Sequence, residues 1–145
     1  MYTVRVKLIG QANEIVMDEV AYSGLQPDYP ENNVYFFQDV KGNQIEVPLS
    51  SVYYIQYGKG RFNGNTEGKT AFTTWFKTID LNSSVQEVRD VVYCGLNPEM
   101  PSLYYIIQKS GESYEIPLHS LAYLRFSKER LDRKDEEQKS DQQKL

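Results

Sequence analysis

The residues of this chain best placed to do chemistry are one histidine, one cysteine, a cluster of serines and two glutamates in matching contexts. Glu46 lies in Ile45-Glu46-Val47-Pro48, and Glu115 lies in Tyr114-Glu115-Ile116-Pro117. Paired carboxylates act as general acid and base only at a defined separation inside a pocket. Alternation with apolar neighbours reads more simply as an outward position on a strand, used twice. His119 would need a nucleophile or water beside it to act as a base, and further ligands to hold a metal. Its counterpart in the other glutamate segment is Ser50, so the matching position lacks an imidazole. Ser50, Ser51 and Ser120 stand in no His–Asp arrangement that would make a hydrolase triad. Residues 64–70 look like a phosphate loop. Only three residues separate Gly64 from Gly68 where the motif needs four, and 71–76 reads as strand where a helix must follow. The expectation is a protein that is not an enzyme, with no metal and no cofactor.

Binding residues are the better candidates. Lys59, Arg61 and Lys69 form the densest basic group outside the C-terminal stretch, with Asn63 and Asn65 between them. Cations of this kind suit a phosphate, and amides beside them can hydrogen-bond a base. Two proline loops, 26–33 and 97–102, are polar and carry one large side chain each, Tyr29 and Met100. Fixed φ at each proline lowers the entropy lost when a loop meets a partner. Tyr29 and Met100 could stack on a base, fill a pocket, or cap the fold, and Asn32 and Asn33 extend the first loop. The net charge is −4, and the charges of 127–145 cancel, so the remainder is acidic. Such a surface does not bind duplex nucleic acid, which requires clustered cations and counterion release.

The elements that must position these residues occur twice. Glu19-Val20-Ala21-Tyr22-Ser23-Gly24-Leu25-Gln26-Pro27 returns as Asp90-Val91-Val92-Tyr93-Cys94-Gly95-Leu96-Asn97-Pro98. Glu46-Val47-Pro48-Leu49 returns as Glu115-Ile116-Pro117-Leu118. A repeat at this spacing is one supersecondary unit used twice, each copy helping to bury the other. Alternation and β-branched or aromatic runs predict strands over 3–9, 14–25, 34–37, 44–47 and 52–55. In the second copy they predict 72–79, 85–96, 103–107, 114–116 and 121–126. One stretch competes: Ser84 to Glu87 resembles a capping box, but its counterpart 14–20 has no helical period, so strand is preferred. The fold class is therefore all-β, from two five-stranded units at 1–57 and 70–126. A Gly-rich linker spans 58–69. Residues 127–145 form a polar tail, frayed helix or disordered, that buries little.

With that strand order, each unit resembles the Sm-like family of small five-stranded barrels, within the broader SH3-like group. The resemblance lies in the opening strand Val4 to Gly10, in the curved second strand carrying Gly24 or Gly95, in Asn33-Val34-Tyr35-Phe36, and in the short final pair 45–55. It implies two tandem barrels. The family's RNA-holding residues are not matched: Ser102 stands for the Asn in the second copy, and Pro48-Leu49 and Pro117-Leu118 replace the Arg-Gly turn. Fold therefore does not carry function here.

Residues 103–107 are apolar on both strand faces, so the second face must be covered by the sister unit, another subunit or a ligand. A homo-oligomer is expected. The single Cys94 reads as a small core residue in a reducing compartment, and no apolar run is long enough to span a bilayer, so no membrane partner and a cytoplasmic setting are expected. The leading functional expectation is a protein-interaction or inhibitory adaptor working through barrel seams and loops. The alternative is a binder that sequesters a small nucleotide, with aromatic rings on the base and linker cations on the phosphate.

Overall fold

A computed structural model describes residues 1–64 and 66–131. The first copy contributes β1 (Tyr2–Leu8), β2 (Ile15–Leu25), β3 (Val34–Asp39), β4 (Gln44–Pro48) and β5 (Val52–Tyr57). The second contributes β6 (Phe72–Thr78), β7 (Gln86–Leu96), β8 (Leu103–Gln108), β9 (Ser113–Pro117) and β10 (Leu121–Phe126). Every predicted strand forms, and the capping-box stretch lies in the β6–β7 turn and β7. Alternation explains this: β6 buries every second residue along Phe72, Thr74, Phe76 and Thr78, a period a helix does not have. A short 3-10 turn precedes each of β3, β5 and β10. A helical turn follows β10, and residues 132–145, most of the expected tail, lie outside the described residues. No helix among the described residues is long and apolar enough to cross a membrane.

All ten strands belong to one open antiparallel sheet, in the order β10-β6-β7-β8-β9-β5-β1-β2-β3-β4. Each half keeps its own internal order, and the halves do not form separate sheets: β5 pairs with β9. The register at this joint is Ile55 opposite Glu115, Gln56 opposite Tyr114 and Tyr57 opposite Ser113. The outer strands β10 and β4 are left as the two edges.

Both halves bend at equivalent places. The β2–β3 register slips between Val20 and Tyr22, and the β7–β8 register slips between Val91 and Tyr93. At each slip a non-glycine residue takes the left-handed conformation, Glu19 at φ 53° and Asp90 at φ 54°. Its carbonyl accepts from the amide of Val40 or of Lys109. An extra residue there lets the long strand turn back over its own core.

Two clusters form the core. The first gathers Val4, Val6, Met17, Val20, Tyr35, Phe37, Val47, Val52, Ile55 and Tyr57, and it also takes in Leu103 from the second half, with Met100 packed on it. The second gathers Phe72, Phe76, Val88, Val91, Tyr104, Ile106 and Ile116. Leu103 and Ile107 on one face of β8, and Tyr104 and Ile106 on the other, are all buried. Tyr104 and Ile106 belong to the second half's own core, and Leu103 on the opposite face is covered by the first half. Each such side chain contributes about 1.5–3 kcal/mol, so a joint sealed by several of them does not open readily.

Candidate functional site

At the centre of the joint lies a carboxylate. Glu115 is 0% exposed, held on β9 where that strand meets β5. The Tyr35 hydroxyl donates to its Oε2, and Arg61 Nη2 lies 3.4 Å from its Oε1. Arg61 also donates through Nε to the Ser23 hydroxyl at 2.9 Å, and its guanidinium stacks 5.2 Å from the Tyr57 ring centre. Ser23 is in turn bonded to the Tyr2 hydroxyl at 2.6 Å. Strand pairing carries Tyr2, Ser23, Tyr35 and Tyr57 into this cluster, and the segment following β5 delivers Arg61.

Burial raises the Glu115 carboxyl above its ordinary range, and the Tyr35 hydroxyl and the Arg61 charge oppose that rise. Burial and the nearby carboxylate likewise push the Tyr105 phenol up to about 12. The sequence reading placed both repeated glutamates outward. Glu46 is indeed exposed on the edge strand β4, accepting from Gln26 Nε2 at 2.5 Å and from the Tyr29 hydroxyl at 2.5 Å. Those two bonds, that of Tyr29 foremost, hold its carboxyl below the usual range. Glu115 differs from that expectation: the first half docks on its strand through β5, so the equivalent position is buried.

Beside the buried cluster, on the outer face of the second half, is a cavity of about 320 Å³ lined by Arg61, Phe62, Lys69, Tyr93, Pro98, Tyr105, Ile107 and Ser113. Its walls come from β7, β8 and β9 on one side and from the inter-repeat segment on the other. That segment is fastened: Thr66 Oγ1 donates to the Lys109 carbonyl at 3.3 Å. The Phe62 ring lies against Gly64, where an added Cβ would come within 2.3 Å of it and push the ring aside. Tyr93 folds back along its own strand, its hydroxyl 3.5 Å from the Leu96 carbonyl.

The structure thus brings Arg61 and Lys69 together, and leaves the other expected binding residues elsewhere. Lys59 and Asn63 are exposed and do not line the cavity, and Asn65 lies outside the described residues. Tyr29 is tied to Glu46. Asn32 and Asn33, the latter left-handed at φ 55°, line a separate hollow of about 290 Å³ with Ser50, Ser102 and His119. Met100 packs against the first core and serves as a cap. Sequence reasoning missed Phe62, Tyr93, Tyr105 and Glu115. Phe62 fell in the expected linker and the other three on strands, and only the β5–β9 pairing shows that they converge.

His119 has a structural assignment. Its Nε2 lies 2.9 Å from the Leu49 carbonyl and its Nδ1 lies 3.1 Å from the Ser120 hydroxyl, which itself donates to the Val52 carbonyl. This relay ties the turn before β10 to the turn before β5. No group of three or more His, Cys, Asp or Glu side chains among the described residues is placed to hold a metal. No family model matches the chain, and no curated protein or solved structure matches it either.

Proposed function

We propose that the chain is a non-enzymatic binding protein that takes a small nucleotide in the cavity over the β5–β9 joint. The observation that carries this reading is the meeting of two cations, Arg61 and Lys69, with three aromatic rings, Phe62, Tyr93 and Tyr105, around one 320 Å³ space. A ligand with a planar base and a phosphate uses both kinds of wall: the rings offer flat apolar faces, and the cations offset the anionic charge. Glu115 serves here as a positioning group, since it fixes the Arg61 guanidinium from behind. Each half is read as a small, partly open barrel of the Sm-like or SH3-like kind, because strand order and bulge positions repeat between them. The single thiol fits a reducing, cytoplasmic setting.

A thermal-shift series tests the reading with adenosine, its monophosphate, cyclic dinucleotides and inorganic phosphate as probes. A ligand present at a hundred times its Kd adds about 2.7 kcal/mol of stability. The expected result is a concentration-dependent rise in Tm with a nucleotide, greater than with adenosine or phosphate alone, and reduced in Lys69→Ala and Tyr93→Leu. No shift from any of these probes at millimolar concentration sinks it.

A protein-binding adaptor is the second reading. It is favoured by the exposed first proline loop, braced by a 3-10 turn at Pro30–Asn32 and by the Tyr29–Glu46 bond. That reading expects partner affinity to fall in Pro27→Gly and Pro30→Gly and to be indifferent to Lys69→Ala.

A further inference from the structure

A larger hollow, of about 600 Å³, lies at the start of β5 and shares no residue with the cavity described above. Its walls are equivalent turns of the two copies, the β1–β2 turn at 10–14 and the β6–β7 turn at 80–84, with β5 between them. Each turn is held by the same lysine of the repeat. Lys7 Nζ donates to the Gln11 and Ala12 carbonyls at 2.9 and 3.0 Å. Lys77 Nζ donates to the Thr78 and Asp80 carbonyls at 3.2 and 2.6 Å. Walls fixed in this way lower the ordering cost of binding.

Tyr53 is the side chain that the fold does not ask for. Lys7 pairs with Tyr54 and Leu8 with Val52, so Tyr53 is the extra residue of a bulge. In the second copy Lys77 pairs with Tyr123 and Thr78 with Leu121, and the extra residue is Ala122. The bulge therefore forms around a methyl group as well as around a phenol. A bulge re-aims a side chain, and here Tyr53 and Tyr54 both line the hollow. The Tyr54 ring is anchored from the second half, 5.7 Å from Phe76 and 6.1 Å from Tyr114. Tyr53 is only 9% exposed, yet among the described residues its hydroxyl has no hydrogen-bond partner. A buried phenol ordinarily finds one.

The rest of the lining is polar. Gln11, Asn82 and Gln86 bring amides, and Glu14 and Asp80 bring carboxylates. Cations stand close to both acids: Arg5 Nη1 lies 4.0 Å from Glu14, and Lys77 is bonded to the Asp80 backbone. Lys7, the cation in the lining, is engaged by the turn carbonyls. The hollow thus favours neither an anion nor a cation. Amides, carboxylates and phenols suit a neutral ligand rich in hydroxyl groups, each of them donor and acceptor, with a flat C–H face to rest on a tyrosine ring. We propose that this hollow is a second binding site, for a neutral saccharide, with the Tyr53 hydroxyl bonded to a sugar hydroxyl. The volume lies within the range of small-ligand sites. The proposal does not rest on the nucleotide reading.

Saturation-transfer NMR and thermal shift on the full chain test it, with glucose, galactose, N-acetylglucosamine, maltose and lactose as probes at tens of millimolar. The expected result is transfer to at least one sugar and a Tm that rises with its concentration. Tyr53→Ala, the residue found at the other bulge, is expected to keep the wild-type circular dichroism and lose the transfer. Tyr53→Phe keeps the ring, and its affinity is expected to fall about fivefold with the lost hydrogen bond. Both variants should keep any nucleotide response, and Lys69→Ala should keep the sugar response, so the two readings fail separately. Absence of transfer from every sugar overturns the proposal. So does sugar binding at wild-type strength in both Tyr53 variants. Stabilisation through Tyr53 by spermine or inorganic phosphate, with none by a sugar, overturns it as well.

Discussion

Glu46 and Glu115 are the same residue at the same place in two copies of one unit, and they live in opposite environments. Glu46 is exposed on an edge, with a carboxyl held below its ordinary range by Tyr29 and Gln26. Glu115 is fully buried at the joint, with a carboxyl raised by burial. The difference arises because a neighbouring half has docked on β9 and none has docked on β4. A repeat specifies a shape; docking assigns each copy's polar groups their roles.

The largest way to break this comparison is Arg61→Ala, which strips the buried carboxylate of its counter-charge. Removing one partner of such a pair costs about 3 kcal/mol, because a desolvated charge is left alone. Chemical denaturation should show that loss, and adding Glu115→Gln should recover much of it. A double variant no more stable than Arg61→Ala would mean that the ion pair is not what holds the joint.

Acidity sharpens the comparison next. Glu115 has a folded pKa above its ordinary 4.5, so the folded state binds more protons than the unfolded chain between 4.5 and the raised value. Stability contributed by this group therefore falls as pH rises through that window. Glu46 has the opposite sign: its contribution is present above 4.5 and fades as pH falls through its depressed value. Unfolding free energy against pH should lose its downward slope in Glu115→Gln and keep it in Glu46→Gln.

A smaller effect concerns the two bulges. A non-glycine residue in the left-handed region costs about 1 kcal/mol relative to glycine. Asp90→Gly and Glu19→Gly should each raise the denaturation midpoint slightly, by similar amounts if the two bends are equivalent. The smallest effect is expected for Lys59→Ala, an exposed side chain away from the cavity, which should leave both Tm and ligand response unchanged within scatter.

Much of the fold was legible because strand periodicity is local. Alternation along Phe72 to Thr78, the Lys41-Gly42-Asn43 turn, and the prolines that close β4 and β9 all mark elements within a few residues of chain. The doubly apolar β8 even announced that something must cover its second face. The site was only half legible. Arg61 and Lys69 stood out as cations in an acidic chain. Tyr93 and Tyr105 carried no signal, because an aromatic residue on a strand looks the same whether it lines a cavity or fills a core, and Phe62 sat in a segment that read as a linker.

The sequence alone determined that two like units of five strands would form, since repetition, alternation and turn residues act over short spans. Only the tertiary structure decided that β5 would meet β9, and with it which glutamate is buried, which arginine is anchored and where a cavity opens. Those outcomes depend on side chains far apart in the chain arriving at one place. Pairing between edges is set by packing and desolvation across the whole sheet, and no local pattern records it.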